Sequence, residues 1–163
     1  MKKIINILSF AVLLIGALAS CEKAPKIDES LVGEWQLTHM DGQETSAIST
    51  AVYIEFRADK SFDMYQKVGD VSRFRKYTGT YSVAGTILSG EYKDGEEWGS
   101  CYKVSVEADG HVLKLTAVTL DDSGAVVSEG EVCAYIKASL SQEEKDASDI
   151  MTKSSGSVVF RVL

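Results

Sequence analysis

Seven tyrosines, three cysteines and two histidines are the residues of this 163-residue chain whose chemistry could go beyond packing. To bind a metal or move a proton, His39 and His111 would have to converge with carboxylates or thiolates. Nothing in their spacing requires that meeting, and each falls near the end of a predicted strand beside turn residues, where a solvated imidazole is the simpler reading. Asp121-Asp122-Ser123-Gly124 resembles a cation loop but lacks the oxygen count that calcium needs, so a hairpin turn is expected. Cys133 has Glu129 and Glu131 nearby, and acidic neighbours oppose a thiolate. The chain holds no Gly-x-Ser-x-Gly elbow, phosphate loop, His-Glu-x-x-His or Cys-x-x-Cys, so the sequence supports neither catalysis nor a cofactor or metal site. What remains is a set of large side chains: Phe56, Phe62, Met64, Tyr77, Tyr81, Tyr92 and Tyr102, with Trp35. Together they would line an apolar cavity edged with hydroxyls, suited to a small amphipathic molecule. The other reading is that the rings simply fill a narrow core.

The N-terminus carries a different kind of chemistry. Lys2 and Lys3 precede an apolar run from Ile4 to Ala19, which stops at Ser20-Cys21. This is the layout of a secretory signal, and the run is short for a permanent membrane span. Leu18-Ala19-Ser20-Cys21 resembles the lipobox of bacterial lipoproteins, in which the cysteine is lipidated and becomes the first residue. The resemblance implies a signal peptide over residues 1–20, acylation of Cys21 by chains such as palmitate, and a membrane partner reached through that anchor in the cell envelope, at the outer membrane. Several acyl chains hold a protein stably where one does so only marginally. Removal of residues 1–20 leaves 143 residues, enough for one domain with a real core, and moves the formal charge from −7 to −9. Such an acidic body argues against nucleic acid and against anionic membrane surfaces, both of which attract basic patches. Polar residues 21–30, with the only proline at position 25, read as the lipidated end and a short linker ahead of a domain at 31–163.

The elements that would position the aromatic set are short strands. Turn chemistry recurs at Asp41-Gly42, Ala58-Asp59-Lys60-Ser61, Gly69-Asp70, Ala84-Gly85, Asp94-Gly95, Asp109-Gly110 and Asp121 to Gly124, between segments rich in Val, Ile, Thr, Tyr and Phe. That spacing predicts an all-β fold of about eight antiparallel strands from Trp35 to Lys137, closed into an up-and-down barrel. Val52, Ile54 and Phe56 share one face, as do Phe62 and Met64, Tyr77 and Tyr81, Tyr102, Val104 and Val106, and Leu113 and Leu115. On the last strand Val132, Ala134 and Ile136 form the apolar set, alternating with Glu131, Cys133, Tyr135 and Lys137. Cys101 and Cys133 then fall on the sixth and eighth strands. Next-but-one strands lie about 9.6 Å apart and a disulfide tolerates about 7 Å, so a bridge would need strong curling with both thiols inward, or a different strand count. Beyond the strands, Ser141-Gln142-Glu143-Glu144 fits a capping box, Ala147, Ile150 and Met151 share a helical face, and a helix over 142–153 is predicted. Ser157 to Leu163 reads as a final apolar strand that should dock.

Three stretches give the barrel a family likeness: Leu31-Val32-Gly33-Glu34-Trp35, Ile54 to Phe62, and Tyr77-Thr78-Gly79-Thr80-Tyr81. With the lipobox they resemble the lipocalin-like lipoproteins common in the Bacteroidota. The resemblance implies that Trp35 plugs the closed end of the barrel, that Gly33 permits the close approach of its ring, and that a basic residue, Lys137 or Arg161, stacks on it. It also implies binding of a small hydrophobic ligand without covalent change. The alternative is a structural or adaptor lipoprotein with a filled barrel, acting through its loops.

Overall fold

The computed structural model describes residues 26–107, 109–153 and 163. The signal segment, Cys21, Arg161 and most of the final apolar strand lie outside them. The elements are α1 (Ile27–Leu31), β1 (Gly33–Met40), β2 (Gln43–Glu44), a 3₁₀ turn (Thr45–Ile48), β3 (Thr50–Phe56), β4 (Ser61–Val68), β5 (Arg75–Ala84), β6 (Ile87–Tyr92), β7 (Cys101–Glu107), β8 (Val112–Leu120), β9 (Val126–Lys137), α2 (Gln142–Asp146) and β10 (Asp149–Ile150). Short turns force each main strand to pair antiparallel with the next, and the ring closes where β9 returns to β1, with Trp35 opposite Lys137 and Leu37 opposite Tyr135. The eight main strands therefore form a closed up-and-down barrel, as the alternation predicts, and β2 forms a small hairpin with β1 through Asp41-Gly42. Both turn residues have positive φ, 45° and 80°, as a two-residue hairpin turn requires.

Register carries one large side chain after another to the same interior. Trp35 faces Ile54, Ile54 faces Met64, Met64 faces Tyr77, and Phe56 faces Phe62. Each is at most 3% exposed. Fully burying one such side chain is worth about 1.5–3 kcal/mol, which makes this alternation the main source of stability. Where two big rings compete for one layer, a glycine yields the space. A Cβ on Gly79 would fall on the Glu91 carbonyl oxygen and within 2.6 Å of the Phe62 ring, so this glycine admits both the close backbone of β6 and the Phe62 ring.

On β9 the inward set is the opposite of the one expected. Cys133 and Tyr135 point in, 3% and 0% exposed, while Val132 and Ile136 are 38% and 42% exposed. Hydrophobicity alone favours the valine and isoleucine face, but a strand's inward set is fixed by its register with its neighbours. Tyr135 lies opposite both Leu37 and Leu113, and Cys133 opposite Leu115.

The closed end includes α1, ahead of the first strand. Ile27 and Leu31 lie one helical turn apart, so α1 presents an apolar edge to the barrel; Leu31 is fully buried and Ile27 packs on the core. The carbonyl of Leu31 accepts the Trp35 Nε1–H at 2.8 Å, and the Lys137 ammonium stands 5.2 Å from the Trp35 ring centroid. Lys137 is thus the stacking base. Gly33 serves this corner through its backbone, with φ of +139°; a Cβ there would make only an ordinary 3.7 Å contact with Lys137.

A second layer covers the outer face of β3, β4 and β5. Tyr65, Phe74 and Leu140 form a small apolar cluster beside Tyr53. Glu34 and Glu55 are directly opposite each other on β1 and β3, a repulsive pairing, and Lys145 of α2 bridges them at 2.8 and 3.6 Å. Ser141 caps α2 by accepting from the Glu144 amide, and its hydroxyl donates to the Glu144 carboxylate at 2.6 Å. The helix stops at Asp146, well short of the predicted 153. Ser148 bonds back to the Glu144 carbonyl, and Asp149–Ile150 pair in parallel with Arg75–Lys76, so sheet bonding at the β5 edge replaces the last helical turns. Ile150 is 82% exposed as a result.

Asp63 anchors this layer. It is 6% exposed, and its carboxylate accepts from Arg57 and lies 2.9 Å from the Lys76 ammonium. Burial works to raise its pKa, but the hydrogen bonds from Arg57 and Lys76 outweigh it and hold the carboxyl below the usual range.

Two stability predictions follow from this packing. Gly79→Ala should cost about 1–3 kcal/mol in urea unfolding, from overpacking against Phe62; an unchanged midpoint would contradict the layer described. Asp63→Asn should cost about 1.5–3 kcal/mol at neutral pH. Because the folded pKa of Asp63 is depressed, its stabilisation is present above the unfolded carboxylate value near 3.8 and fades as pH falls through the folded one. The gap between wild type and variant should close in that acid window, and a pH-independent gap would rule out the ionised carboxylate as its source.

Candidate ligand cavity

All seven candidate lining residues, Phe56, Phe62, Met64, Tyr77, Tyr81, Tyr92 and Tyr102, are buried in one continuous core cluster with Trp35. They divide into two groups by what their polar atoms do. Phe56 and Tyr81 belong to the closed end: their rings meet edge-on at 5.0 Å, and the Tyr81 hydroxyl donates to the Arg57 carbonyl at 2.7 Å. Phe62, Tyr77, Tyr92 and Tyr102, joined by Trp98, form a chain of edge-on contacts through the interior, with Met64 buried in the same cluster. Tyr77 meets Tyr92 at 6.1 Å, Tyr92 meets Phe62 at 5.8 Å, Phe62 meets Trp98 at 5.1 Å, and Trp98 meets Tyr102 at 6.2 Å. Each contact adds about 0.5–1.5 kcal/mol beyond area burial, because the positive ring edge meets a negative face.

Trp98 is the member that sequence reasoning missed. It stands in Glu96-Glu97-Trp98-Gly99, between two acidic residues and a glycine. Its position follows from a seam: β6 and β7 pair only at Ile87–Lys103 and Leu88–Tyr102, after which β7 leaves. The segment before β7 folds back on β6, with a Glu91–Glu97 bridge and the Trp98 amide donating to the Gly90 carbonyl at 3.0 Å. The Trp98 ring then fills the space over Gly90, where a Cβ would lie 2.6 Å from it. Outside the seam lies a cleft of about 600 Å³ whose lining includes Ser82, Ser89, Gly90, Trp98, Ser100 and Cys101.

Two buried donors in this interior meet no oxygen or nitrogen acceptor among the described residues: the Trp98 indole N–H, and the Tyr135 hydroxyl, which has the weakly accepting Cys133 sulfur beside it. Tyr135 is fully enclosed, and burial, reinforced by the adjacent Cys133 thiol, raises its pKa well above that of an ordinary phenol. Burial likewise raises Tyr92 and Tyr102. These hydroxyls stay protonated at neutral pH. The Cys133 thiol is pushed up to about 12 by burial and by Glu131, so it is a neutral thiol inside an apolar wall. Tyr92 is engaged, its hydroxyl donating to the Leu163 main-chain oxygen at 3.0 Å.

The remaining candidates do not converge. His39 sits half-buried on β1 with Nδ1 3.1 Å from the Thr38 hydroxyl, whereas His111 is exposed in the β7–β8 turn at the other end of the barrel. Cys101 and Cys133 are both free thiols, on β7 and β9 with β8 between them, opposite Val118 and Leu115. Asp121 accepts from the amides of Ser123 and Ala125 and closes the β8–β9 hairpin.

A search of curated proteins returns no match. Among solved structures, one titled "REP1-NXSQ fatty acid transporter" is 13% identical, with 69% of this chain and 99% of that chain covered and a TM-score of 0.37. The model of the lipocalin-like domain matches residues 31–121. With over half its length matched, and an eight-stranded antiparallel ring behind the Gly-x-Trp entrance, this chain belongs to the lipocalin-like domain family.

Proposed function

We propose that this lipocalin-like barrel binds a small amphipathic molecule in its interior and works by sequestering it, without chemical change. The observation that carries this reading is the pair of orphaned donors, Trp98 Nε1 and Tyr135 Oη, in an otherwise apolar aromatic interior. An unsatisfied buried donor costs about 1–3 kcal/mol, and a ligand that presents an acceptor oxygen to it removes that cost. Apolar bulk would come from contact with Phe62, Met64, Leu88 and Leu115, and orientation from the donors. The seam at Trp98, which borders the outer cleft, is the entrance that this reading implies.

Our reading makes the protein a binder and not an enzyme; its support is the lipocalin-like family match. It also places the protein on a bacterial cell envelope, at the outer membrane, tethered through acylated Cys21; the support is the four-residue lipobox at the end of the apolar run. Metabolic acyl labelling should be lost in Cys21→Ala, and labelling that persists would refute the anchor.

The same interlocked rings favour a second reading, a filled barrel acting as an adaptor through its loops. Tyr135→Phe separates the two. It keeps the ring and removes the hydroxyl, so the unliganded protein should be as stable as wild type or up to about 1 kcal/mol more stable. Affinity for a fluorescent fatty acid should fall about fivefold, one lost hydrogen bond. Unchanged affinity would remove this donor from the account, and no uptake by either protein would favour the adaptor.

A further inference from the structure

Both orphaned donors have carboxylates for neighbours. Beside Tyr135 the Cys133 thiol donates to the Glu131 carboxylate at 3.7 Å, which sets a negative charge at the rim of the interior. Burial first, and then Cys133, Tyr102 and Glu131, raise the Tyr135 phenol, and no cation among the described residues acts to lower it. Trp98 shares the outer cleft with Glu91 and Glu97, and no lysine, arginine or histidine lines that cleft. These two glutamates lie directly opposite each other. Glu34 and Glu55 are opposed in the same way and are bridged by Lys145, whereas Glu91 and Glu97 form no ion pair among the described residues.

Positive charge stands elsewhere. Asp63 is the one charged side chain buried among the described residues, and it belongs to the outer layer. Three ammonium groups meet rings of the core: Lys60 is 5.3 Å from the Tyr81 centroid and Lys137 5.2 Å from that of Trp35, both at the closed end, while Lys153 lies 3.3 Å from the Tyr92 hydroxyl. That hydroxyl already donates to the Leu163 main-chain oxygen. Among the described residues no ammonium is in ring contact or hydrogen bond with Trp98 or Tyr135.

We propose that the interior selects an uncharged amphipathic guest, an alcohol, ester or ketone whose oxygen accepts from the Tyr135 hydroxyl or the Trp98 N–H, over an ion of the same chain length. The inference rests on the ligand-binding reading above and names the class of its ligand. A carboxylate would have to pass Glu91 and Glu97 and then lie near Glu131, and a buried ion with no opposite charge costs far more than a buried neutral oxygen that accepts a hydrogen bond. An ammonium would bring more hydrogens to a site already short of acceptors. A neutral oxygen satisfies the donors without either cost, so a fatty acid remains a ligand but the weaker one.

The test loads the chain from residue 22 to 163 with the neutral fluorophore N-phenyl-1-naphthylamine and displaces it at neutral pH with dodecan-1-ol, dodecanoate or dodecylammonium. The alcohol should displace the probe at a concentration about tenfold lower than either ion. Because the alcohol also leaves water more readily than the ions, Glu131→Gln tests the protein's own share: it should narrow the gap between alcohol and dodecanoate about threefold, the effect of removing one nearby charge. Either ion matching the alcohol would overturn the selection and leave the ligand reading standing. A gap unchanged in Glu131→Gln would assign the preference to water alone and overturn it as well. Uptake of neither the probe nor any of the three amphiphiles by the folded protein would overturn the ligand reading itself.

Discussion

Eight strands closed into a ring leave an interior barely wider than the side chains that fill it, and the rest of this structure answers to that limit. Inward positions trade volume with one another: Gly79 gives way to Phe62, Gly90 gives way to Trp98, and Tyr135 stands where β1 and β8 offer leucines. The ends are managed with the same economy. At one end α1 and Lys137 hold Trp35 from two sides, a carbonyl for its N–H and a cation for its face. At Tyr92 the interior receives Leu163. The result is a core in which aromatic faces and edges are matched while two polar hydrogens are left over.

The outside of the barrel is organised by charge. Asp63 on β4 gathers Arg57 and Lys76, and Lys145 relieves the opposed Glu34 and Glu55, so α2 and the following chain lie against β3 to β5. This layer explains why β4 is buried on both faces where alternation alone suggests one wet side. It also sets the path of the chain toward β10.

Much of the ring was legible because its signals are local. Period-two alternation marks Val52, Ile54 and Phe56 as inward, and Asp-Gly turns set where strands reverse. What escaped reading depends on partners distant in sequence. The inward face of β9 is chosen by Leu37 and Leu113, so the more apolar Val132 and Ile136 end up outside. Trp98 sits between glutamates and a glycine, and only the early departure of β7 from β6 makes room for it inside. The helical period of Ala147, Ile150 and Met151 loses to hydrogen bonds offered by the open β5 edge. Of the candidate site, the rings were readable as a set; the two orphaned donors, which give the set its chemical direction, were not.

The central claim is that the interior holds a guest, and native mass spectrometry of the exported chain from residue 22 to 163, compared with its denatured mass, asks this directly. A stoichiometric extra mass that denaturation removes, belonging to an amphipathic molecule with an acceptor oxygen, is the expected result. A bare mass, unchanged after challenge with fatty acids and sterols, would contradict it.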